Sequence, residues 1–394
     1  MANFNRRHFI GTLSSGILGL GLIKKLRGES GTGETLTAGD SQPKIKKYNV
    51  LGKTGLEVSD ISCGAISFFE PNVLRYAYDC GVNYFDTAEG YMRSRSESLL
   101  GDALKDIRDK VIITTKHPHS TREEIEKESI IQRVEESLKR MQTDYIDIAL
   151  AHNVSDLSLL DNQELQEAYF HLVKQGKIRF TGISTHNAKL TLKQALDRDF
   201  VRLVLVIYNH LEGQEIEPLL QKVHEKGIAT VAMKIFAGGK QGNLKSLVTQ
   251  KLSYPQAAIR WVMSNPNIDT CIPTMSSYSH VEEYVAASNQ TLSREDLKVI
   301  AEYRRQVHDQ YCRVSCSECI GSCPENVAIN DVLRYRMYFE DYGREKEAMR
   351  HYADLDTGMK PLRCSACSGY CEKSCPHGLK VREKLIQAHD ILSA

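Results

Sequence analysis

Four side chains that can hold or transfer a proton follow three consecutive apolar segments of the chain. Asp86 ends the second predicted strand and Tyr91 follows it, while Lys116 follows the third strand and His152 comes shortly after the fourth. Each residue alone has a structural explanation, for example a helix cap or a packed ring. In a parallel barrel, however, the carboxyl ends of neighbouring strands meet at the face where catalysis takes place. A carboxylate, a phenol, an ammonium and an imidazole at that face together predict a catalytic site.

Eight of the eleven cysteines lie between residues 312 and 375, in two compact groups that each end in Cys-Pro. Their spacings resemble bacterial ferredoxin-type [4Fe–4S] sites, in which short loops supply four soft thiolate ligands. Two zinc sites or disulfides are the alternatives. The spacing leaves open whether the last cysteine of each group binds the other cluster. The predicted metal ligands are Cys312, Cys316, Cys319 and Cys323 in the first group and Cys364, Cys367, Cys371 and Cys375 in the second.

Short apolar runs alternate with longer amphipathic segments from about residue 46 to 300, which is typical of a parallel α/β fold. No G-x-G-x-x-G motif follows a strand, which disfavours a doubly wound dinucleotide-binding sheet. A short hairpin, 48–50 and 56–58, comes first. The strands and the helical patterns between them predict a (β/α)8 TIM barrel in the α/β class. The predicted strands are 61–65, 84–86, 111–115, 146–149, 180–183, 203–206, 229–233 and 270–272.

The ordered motifs of this region resemble those of the aldo-keto reductases, over roughly residues 46–290. The resemblance implies a barrel enzyme that reduces a carbonyl or oxidises an alcohol of a small molecule. A carbonyl that receives hydride develops negative charge on its oxygen and needs a proton donor. The matching segments include Asp86-Thr87-Ala88 with Tyr91, Tyr145-Ile146-Asp147 with His152, Gly182-Ile183-Ser184 and Ile272-Pro273.

The same resemblance implies a role for each of the four strand-end residues. Tyr91 would donate the proton as general acid, and the Lys116 ammonium would lower the pKa of that phenol from its usual value of about 10. Asp86 would hold and orient Lys116, and His152 would orient the substrate oxygen. All four residues are present, which favours an active enzyme.

The resemblance also implies a nicotinamide cofactor, NAD(P)H, although this chain departs from the family pattern at several positions. Only Ser184 of the residues that hold the nicotinamide amide matches, and Leu205 and Met233 stand where a glutamine and an aromatic residue are expected. Thr274 and His280 replace the two cations that bind a 2′-phosphate, which weakens the case for NADP. The predicted cofactor-binding residues are Ser184, Lys234, Gly238, Gly239 and Glu283.

The chain divides into three predicted parts: residues 1–45, 46–305 and 306–394. The first resembles a twin-arginine export signal, because Arg6 and Arg7 precede Phe9 and a short apolar run, with a flexible linker after it. This predicts a periplasmic protein, with the cytoplasm as the alternative. Membrane contact is expected only through an uncleaved signal. The third part is predicted to be a small, mainly helical iron–sulfur domain, with two helices near 329–338 and 345–355 between its cysteine groups.

When the third part is included, the chain resembles a branch of the aldo-keto reductases that carries a C-terminal ferredoxin-like domain. The leading hypothesis is an oxidoreductase that uses Tyr91 as general acid and base and exchanges electrons through the clusters. A redox partner protein could exchange electrons with these clusters. One alternative is a non-catalytic redox sensor or electron carrier, and another is an ordinary reductase with structural metal. Lys and Arg number 51 against 50 for Asp and Glu, so no basic surplus indicates nucleic-acid binding.

Overall fold

The computed structural model of the chain describes residues 42–67, 70–119, 125–239 and 253–394. The predicted export signal lies outside these ranges, apart from the last residues of its linker, and so do residues 68 and 69. Residues 42–394 belong to one unit. No helix within the described ranges is long and apolar enough to cross a membrane.

An antiparallel hairpin of β1 (Tyr48–Val50) and β2 (Glu57–Ser59) opens the described chain, as the sequence predicts. The turn between its strands brings Leu51 and Leu56 into an apolar cluster with Tyr84 and Ile148 of the main sheet. The hairpin therefore packs against one end of the barrel. The opposite end, at the carboxyl ends of the strands, is left for the site.

Within the described residues, eight parallel strands pair in sequence order and curl into a (β/α)8-like barrel, which confirms the predicted fold. The first and last strands approach each other through the bridges Ile61–Cys271 and Gly64–Thr274. The amide of Ser62 donates to the Cys271 carbonyl at 2.9 Å. The strands are β3 (Cys63–Gly64), β4 (Tyr84–Asp86), β5 (Ile112–Pro118), β6 (Ile146–His152), β7 (Ile178–Thr185), β8 (Leu203–Ile207), β9 (Ala229–Met233) and β10 (Thr270–Cys271).

The strand sequences suit a sheet that is covered on both faces. β8 reads Leu-Val-Leu-Val-Ile and every residue in it is buried, which is typical of parallel strands between a barrel interior and a layer of helices. β7 needs a glycine at Gly182, because a Cβ there would lie 2.1 Å from the Leu203 carbonyl oxygen of β8. The barrel wall is thus closed by both apolar packing and close backbone contact.

Amphipathic helices cover the outside of the barrel. In the third of them, Ile130, Val134, Leu138 and Met141 recur at helical spacing and are all buried. The last one begins with a capping box, in which the Ser293 and Asp296 side chains each bond the other's backbone amide. The helices are α1 (Pro71–Asp79), α2 (Arg95–Leu104), α3 (Lys127–Met141), α4 (Gln163–Lys174), α5 (Ala188–Ala195), α6 (Glu217–Lys226), α7 (Tyr254–Met263), α8 (Tyr278–Val285) and α9 (Arg294–Val307).

The segment after α9 is mainly helical and has its own apolar cluster, in which Val332, Leu385 and Ala388 pack with several cysteines. Both helices predicted between the cysteine groups are present. The segment docks on the barrel through Glu212, whose carboxylate accepts from the Tyr311 hydroxyl at 2.5 Å. The helices of this segment are α10 (Ile329–Glu340), α11 (Glu345–Ala353), α12 (Tyr370–Lys373) and α13 (Val381–Leu392).

Candidate active site

A buried ion pair lies at the carboxyl ends of β4 and β5. The Lys116 ammonium donates to Asp86 Oδ1 at 2.6 Å and to the Thr87 carbonyl at 2.5 Å. Burial raises the pKa of Asp86, and the nearby Lys116 opposes that shift. Burial alone would lower the pKa of Lys116, but Asp86 and Tyr91 outweigh it and the pKa is raised. Lys116 is therefore a firmly held cation.

The Tyr91 ring lies directly over this pair. The Lys116 Nζ is 4.7 Å from the centre of the ring, and the His152 imidazole meets the same ring edge-on with the ring centres 5.8 Å apart. A turn after β4 places the phenol there, since the Tyr91 amide donates to the Ala88 carbonyl at 3.0 Å. The structure thus brings together all four residues that the sequence predicted to be catalytic.

Three consecutive residues after Tyr91 have left-handed backbone conformations, which non-glycine residues rarely adopt. The φ angles of Met92, Arg93 and Ser94 are 53°, 57° and 65°. Such conformations carry strain and concentrate at functional sites. They turn the chain sharply between Tyr91 and α2, and the sequence did not indicate this turn.

The net pKa of Tyr91 differs from the sequence-based expectation. Lys116 does lower the pKa of the phenol, as expected, but burial is the larger effect, and Asp86 and Tyr338 also raise it. The pKa of Tyr91 is therefore raised above 10. A phenol that keeps its proton suits the role of general acid, because it is fully protonated at neutral pH.

The His152 imidazole is neutral over the whole neutral range. Burial lowers the pKa of His152 to about 3, and the Lys116 and Lys234 ammonium groups contribute to that shift. A neutral imidazole has one nitrogen that donates and one that accepts. It can therefore bind a substrate oxygen next to Tyr91 without competing for the proton.

A pocket with an empty volume of ≈ 1240 Å³, solvent at its mouth included, opens above these residues. Asp86 and Tyr91 line it together with residues that follow the last two strands of the barrel. The C-terminal segment also lines it, through Tyr338 of α10 and through Tyr342 and Arg344 beyond that helix. Sequence reasoning missed these three residues.

The predicted cofactor-binding residues are not all found in one place. Lys234 and Gly239 line the pocket, along with Leu205 and Met233. Ser184, Gly238 and Glu283 are not among its lining residues. The Ser184 hydroxyl accepts from the Asn153 amide at 2.8 Å. A Cβ at Gly238 would lie 2.6 Å from the Tyr311 ring, so this glycine permits the C-terminal segment to dock.

The eight C-terminal cysteines form two groups in space that do not coincide with the two groups in the sequence. We call them the crossed groups. After burial, the Cys375 thiol is among the neighbours that raise the pKa values of Cys312, Cys316 and Cys319. Burial and the Cys323 thiol likewise raise the pKa of Cys364, to about 11, and that of Cys371. The Cys375 thiol thus approaches three cysteines of the first sequence group, and the Cys323 thiol approaches two cysteines of the second.

A small cavity marks the second of these crossed groups. Its empty volume is ≈ 320 Å³, solvent at its mouth included, and Cys323, Cys364, Cys367 and Cys371 are among its lining residues. All eight cysteines have free thiols. Among the described residues, no group of three or more His, Cys, Asp or Glu side chains is arranged to hold a single metal ion.

Two known proteins with similar sequences are oxidoreductases that match the chain over about the length of the barrel. The chain is 29% identical over 281 residues to L-galactose dehydrogenase of Arabidopsis thaliana, covering 61% of this chain and 88% of that protein. It is 26% identical over 297 residues to the uncharacterized oxidoreductase YqkF of Bacillus subtilis, covering 65% and 96%.

Solved structures show the same likeness. An aldo/keto reductase of Klebsiella pneumoniae, solved in complex with NADP and acetate, is 26% identical with a TM-score of 0.55, covering 66% of this chain and 95% of that one. Residues 70–245 and 243–305 match the Aldo/keto reductase family, and this match ends before the first cysteine group. The barrel, the matched residues and these relatives together show that the chain is an oxidoreductase that belongs to the aldo/keto reductase family.

Proposed function

We propose that this enzyme reduces a small carbonyl compound, or oxidises the corresponding alcohol, with Tyr91 as general acid and base. The observation that carries the proposal is the contact of Tyr91 with both the buried Lys116–Asp86 pair and His152 at the mouth of the barrel. Asp86 and Tyr91 line one pocket, and Lys116 and His152 contact the Tyr91 ring, at the face where barrel enzymes carry out their chemistry.

In the direction of reduction, Tyr91 donates its proton to the oxygen on which negative charge develops. Lys116 stabilises the phenolate that remains, and Asp86 keeps the ammonium charged and in place. His152 binds the same substrate oxygen and fixes its direction. In the direction of oxidation, the phenolate of Tyr91 removes the hydroxyl proton.

We propose NAD(P)H as the hydride source, and the pocket fits such a group in part. Lys234, Ser276 and His280 line it with groups that can bind phosphate oxygens, and Leu205 and Met233 present apolar surface. A nicotinamide supplies hydride to the carbonyl carbon when bound. The solved Klebsiella relative in complex with NADP supports this choice.

The function is tested with glyceraldehyde and NADPH, by comparing the unmodified chain with Tyr91→Phe. We expect the substitution to lower kcat by at least about a hundredfold, because it removes the proton donor and keeps the ring. Tyr76→Phe is the control, since Tyr76 is a distant phenol that donates to Glu282 at 2.7 Å. If Tyr91→Phe keeps full activity, Tyr91 is not the general acid.

We also propose two [4Fe–4S] clusters in the C-terminal segment, one bound by each crossed group of thiols. The support is the crowding of four thiols around each position, including the cavity between Cys323, Cys364, Cys367 and Cys371. A thiol that is buried among other thiols resists ionisation, and bound iron compensates the charge of the thiolates. In the direction of oxidation the nicotinamide would take the hydride with both electrons, and the two clusters would then accept these electrons one each.

A second candidate function is a redox carrier whose barrel binds a ligand without turnover. Leu205 and Met233 favour it, because they are apolar residues at positions where the family holds the nicotinamide. The same Tyr91→Phe comparison distinguishes the two functions, since a carrier has no turnover for the substitution to abolish.

We propose that residues 1–45 direct the protein to the periplasm by the twin-arginine route. The support is the Arg6-Arg7 pair followed by Phe9 and a short apolar run. This route carries folded proteins, which suits a chain whose clusters are inserted before export. Fractionation of cells that express the chain with Arg6→Lys and Arg7→Lys tests the proposal, and the changed protein is expected to stay in the cytoplasm.

A further inference from the structure

A second large cleft lies between the barrel and the C-terminal segment, apart from the pocket above Tyr91. Its empty volume is ≈ 1620 Å³, solvent at its mouth included. The barrel lines it with the beginning of α5 and with the segment that follows β8, and the C-terminal segment lines it with residues 313 and 315–318 and with residues next to Cys375. Within the described ranges, none of the four residues of the candidate active site is among its lining residues.

The cleft borders the first crossed group of cysteines, which consists of Cys312, Cys316, Cys319 and Cys375. Cys316 lines the cleft itself, and so do Ser374 and Pro376, on either side of Cys375. A cluster bound by these thiols would have little protein between itself and a molecule in the cleft. The cleft is therefore a place where single electrons can pass to a bound molecule.

Two nitrogen atoms at the wall of the cleft are buried and make no hydrogen bond within the described part of the chain. They are His186 Nδ1 and Arg313 Nη1, and both residues line the cleft. The Arg313 Nε donates to the Leu211 carbonyl at 3.3 Å, which leaves Nη1 for another acceptor. Because a buried polar group without a partner is costly, a ligand with acceptor oxygens would stabilise both side chains.

The charges around the cleft disfavour an anion. Burial lowers the pKa values of His186 and His377, so neither imidazole adds positive charge at neutral pH. The thiolates that would bind a cluster add further negative charge. The cleft therefore suits a neutral molecule better than a phosphate or a carboxylate. Its charged lining residues are three acids and two bases: Glu212, Glu215, Glu318, Lys189 and Arg313.

Apolar side chains form another part of the wall. Ile207 ends β8, Leu211 and Ile216 follow it, and Leu190 belongs to the first turn of α5. The exposed fraction of Leu190 is 43%, so a ring bound at the mouth of the cleft would cover a leucine that now faces water. Apolar surface with a few polar groups is typical of sites that bind small organic molecules.

We propose that this cleft binds a quinone, whose carbonyl oxygens accept hydrogen bonds from His186 and Arg313 and whose ring packs on the apolar wall. A quinone is neutral, carries acceptor oxygens and takes up electrons singly. It therefore matches the charge of the cleft, the unbonded nitrogens and the neighbouring thiols. The inference rests on the proposed clusters and goes beyond the proposed function by naming the molecule that exchanges electrons with them.

The quinone completes the electron balance of alcohol oxidation. The alcohol loses two electrons and two protons and becomes the carbonyl compound. The quinone takes up two electrons, one at a time through the first crossed group, together with two protons from water, and leaves as the quinol. A neutral imidazole has one donor and one acceptor nitrogen, so His186 can bind the carbonyl of the quinone and the hydroxyl of the quinol. No other oxidant is needed.

The first test is isothermal titration of the full chain with menadione, a soluble two-ring quinone. We expect His186→Leu and Arg313→Gln each to raise Kd by about tenfold, as the loss of one hydrogen bond allows. His171→Leu, on α4 and outside the cleft, is the matched control and should leave Kd unchanged. Lys189→Gln should leave Kd within about twofold, because a quinone carries no charge for this ammonium to attract.

The second test measures electron transfer without a nicotinamide. The clusters are reduced with dithionite, the excess is removed, and menadione is added anaerobically while the visible absorbance of the clusters is followed. The rate of reoxidation should saturate with menadione concentration, and Arg313→Gln should raise the half-saturating concentration by about tenfold. Ferricyanide, which needs no such site, should reoxidise both chains at rates within about twofold. Reduction of glyceraldehyde by NADPH should also stay within about twofold, which shows that the variant is folded.

A Kd that neither His186→Leu nor Arg313→Gln changes, or a rate that rises linearly with menadione, overturns the inference and leaves the proposed carbonyl chemistry intact. Flavin mononucleotide that binds more tightly than menadione, and is weakened by Lys189→Gln, overturns it in favour of an anionic cofactor. A chain that holds no iron after reconstitution removes the proposed clusters and the inference together. Iron analysis before each titration distinguishes this outcome from the loss of the quinone site alone.

Discussion

The Tyr91 phenol touches an ammonium and still holds its proton more tightly than a tyrosine in water. Burial outweighs Lys116, and the nearby Asp86 acts against the phenolate. A sequence reveals which charged residue stands near a phenol in the family pattern, but the net pKa depends on how much water the fold removes. The clustering of these four residues could therefore be predicted from sequence, whereas the direction of the Tyr91 pKa could not.

The raised pKa predicts opposite pH dependences for the two reaction directions. Reduction needs the protonated phenol, so its rate should be constant from about pH 6 to pH 9 and fall only above about pH 10. Oxidation needs the phenolate, so its rate should rise with pH through the same range. The measurement is kcat against pH in each direction, and an inflection near pH 7 in both would contradict it.

His152 supplies an internal check on that profile. With a pKa of about 3 it stays neutral above pH 5, so it should add no inflection near 6.5. His152→Gln should lower the rate at every pH and keep the shape of the curve, since only the hydrogen bond to the substrate oxygen changes.

At the scale of elements, strand positions were predictable because parallel barrel strands are continuous apolar runs. β4 and β9 have the bounds predicted for them. β6 was predicted as 146–149 and extends to His152, because Pro118 and His152 still pair across β5 and β6. Strand ends depend on the partner strand, which lies far away in the sequence.

One ion pair between helices is expected to hold α9 on the barrel. The Arg260 guanidinium of α7 binds both carboxylate oxygens of Asp296 on α9, at 2.9 and 2.5 Å, and both side chains are buried. Asp296→Ala leaves the guanidinium buried without its partner and removes the cap at Ser293. We expect the free energy of unfolding to fall by about 3–5 kcal/mol, measured by urea denaturation.

The control for this prediction is the pair Arg305–Glu302 on the same helix, in which Arg305 is exposed and Glu302 is half-buried. Glu302→Ala should shift the denaturation midpoint much less than Asp296→Ala, because a pair with one partner in water contributes little. A midpoint that shifts as far for Glu302→Ala as for Asp296→Ala would show that burial is not the cause.

For the whole molecule, the pocket that is lined by both the barrel and the C-terminal segment was the part that the sequence could not predict. Tyr338 is remote in sequence from Tyr91, and only the docking of the C-terminal segment on Glu212 and the glycine turn at Gly238 brings it to the pocket. The helices that carry Tyr338 were predictable. Their placement over the barrel depends on contacts that no local pattern encodes.

The crossed grouping of thiols predicts how pairs of cysteine substitutions combine. The intact chain should bind about eight irons and any single ligand substitution about four. Cys312→Ser with Cys375→Ser should still bind about four, because both thiols serve one cluster, whereas Cys312→Ser with Cys323→Ser should bind almost none. Iron analysis after anaerobic purification measures this.

Cys80→Ser is the control, because Cys80 is a buried cysteine of the barrel and should not affect the iron content. The reverse result for the two double substitutions would show that each cluster uses the four cysteines of its own sequence group. An iron content near zero in the intact chain, even after reconstitution, would remove the clusters from the proposed function.

The crossed grouping also bears on the order in which the protein is made. Cys312, Cys316 and Cys319 leave the ribosome well before Cys375, the residue that completes their set. Cys323 is likewise synthesised well before Cys364 and the other cysteines near it. Neither set is complete while the chain is still short, and a chain that stops early carries two partial sets. Metal insertion, as proposed here, would thus distinguish finished chains from unfinished ones.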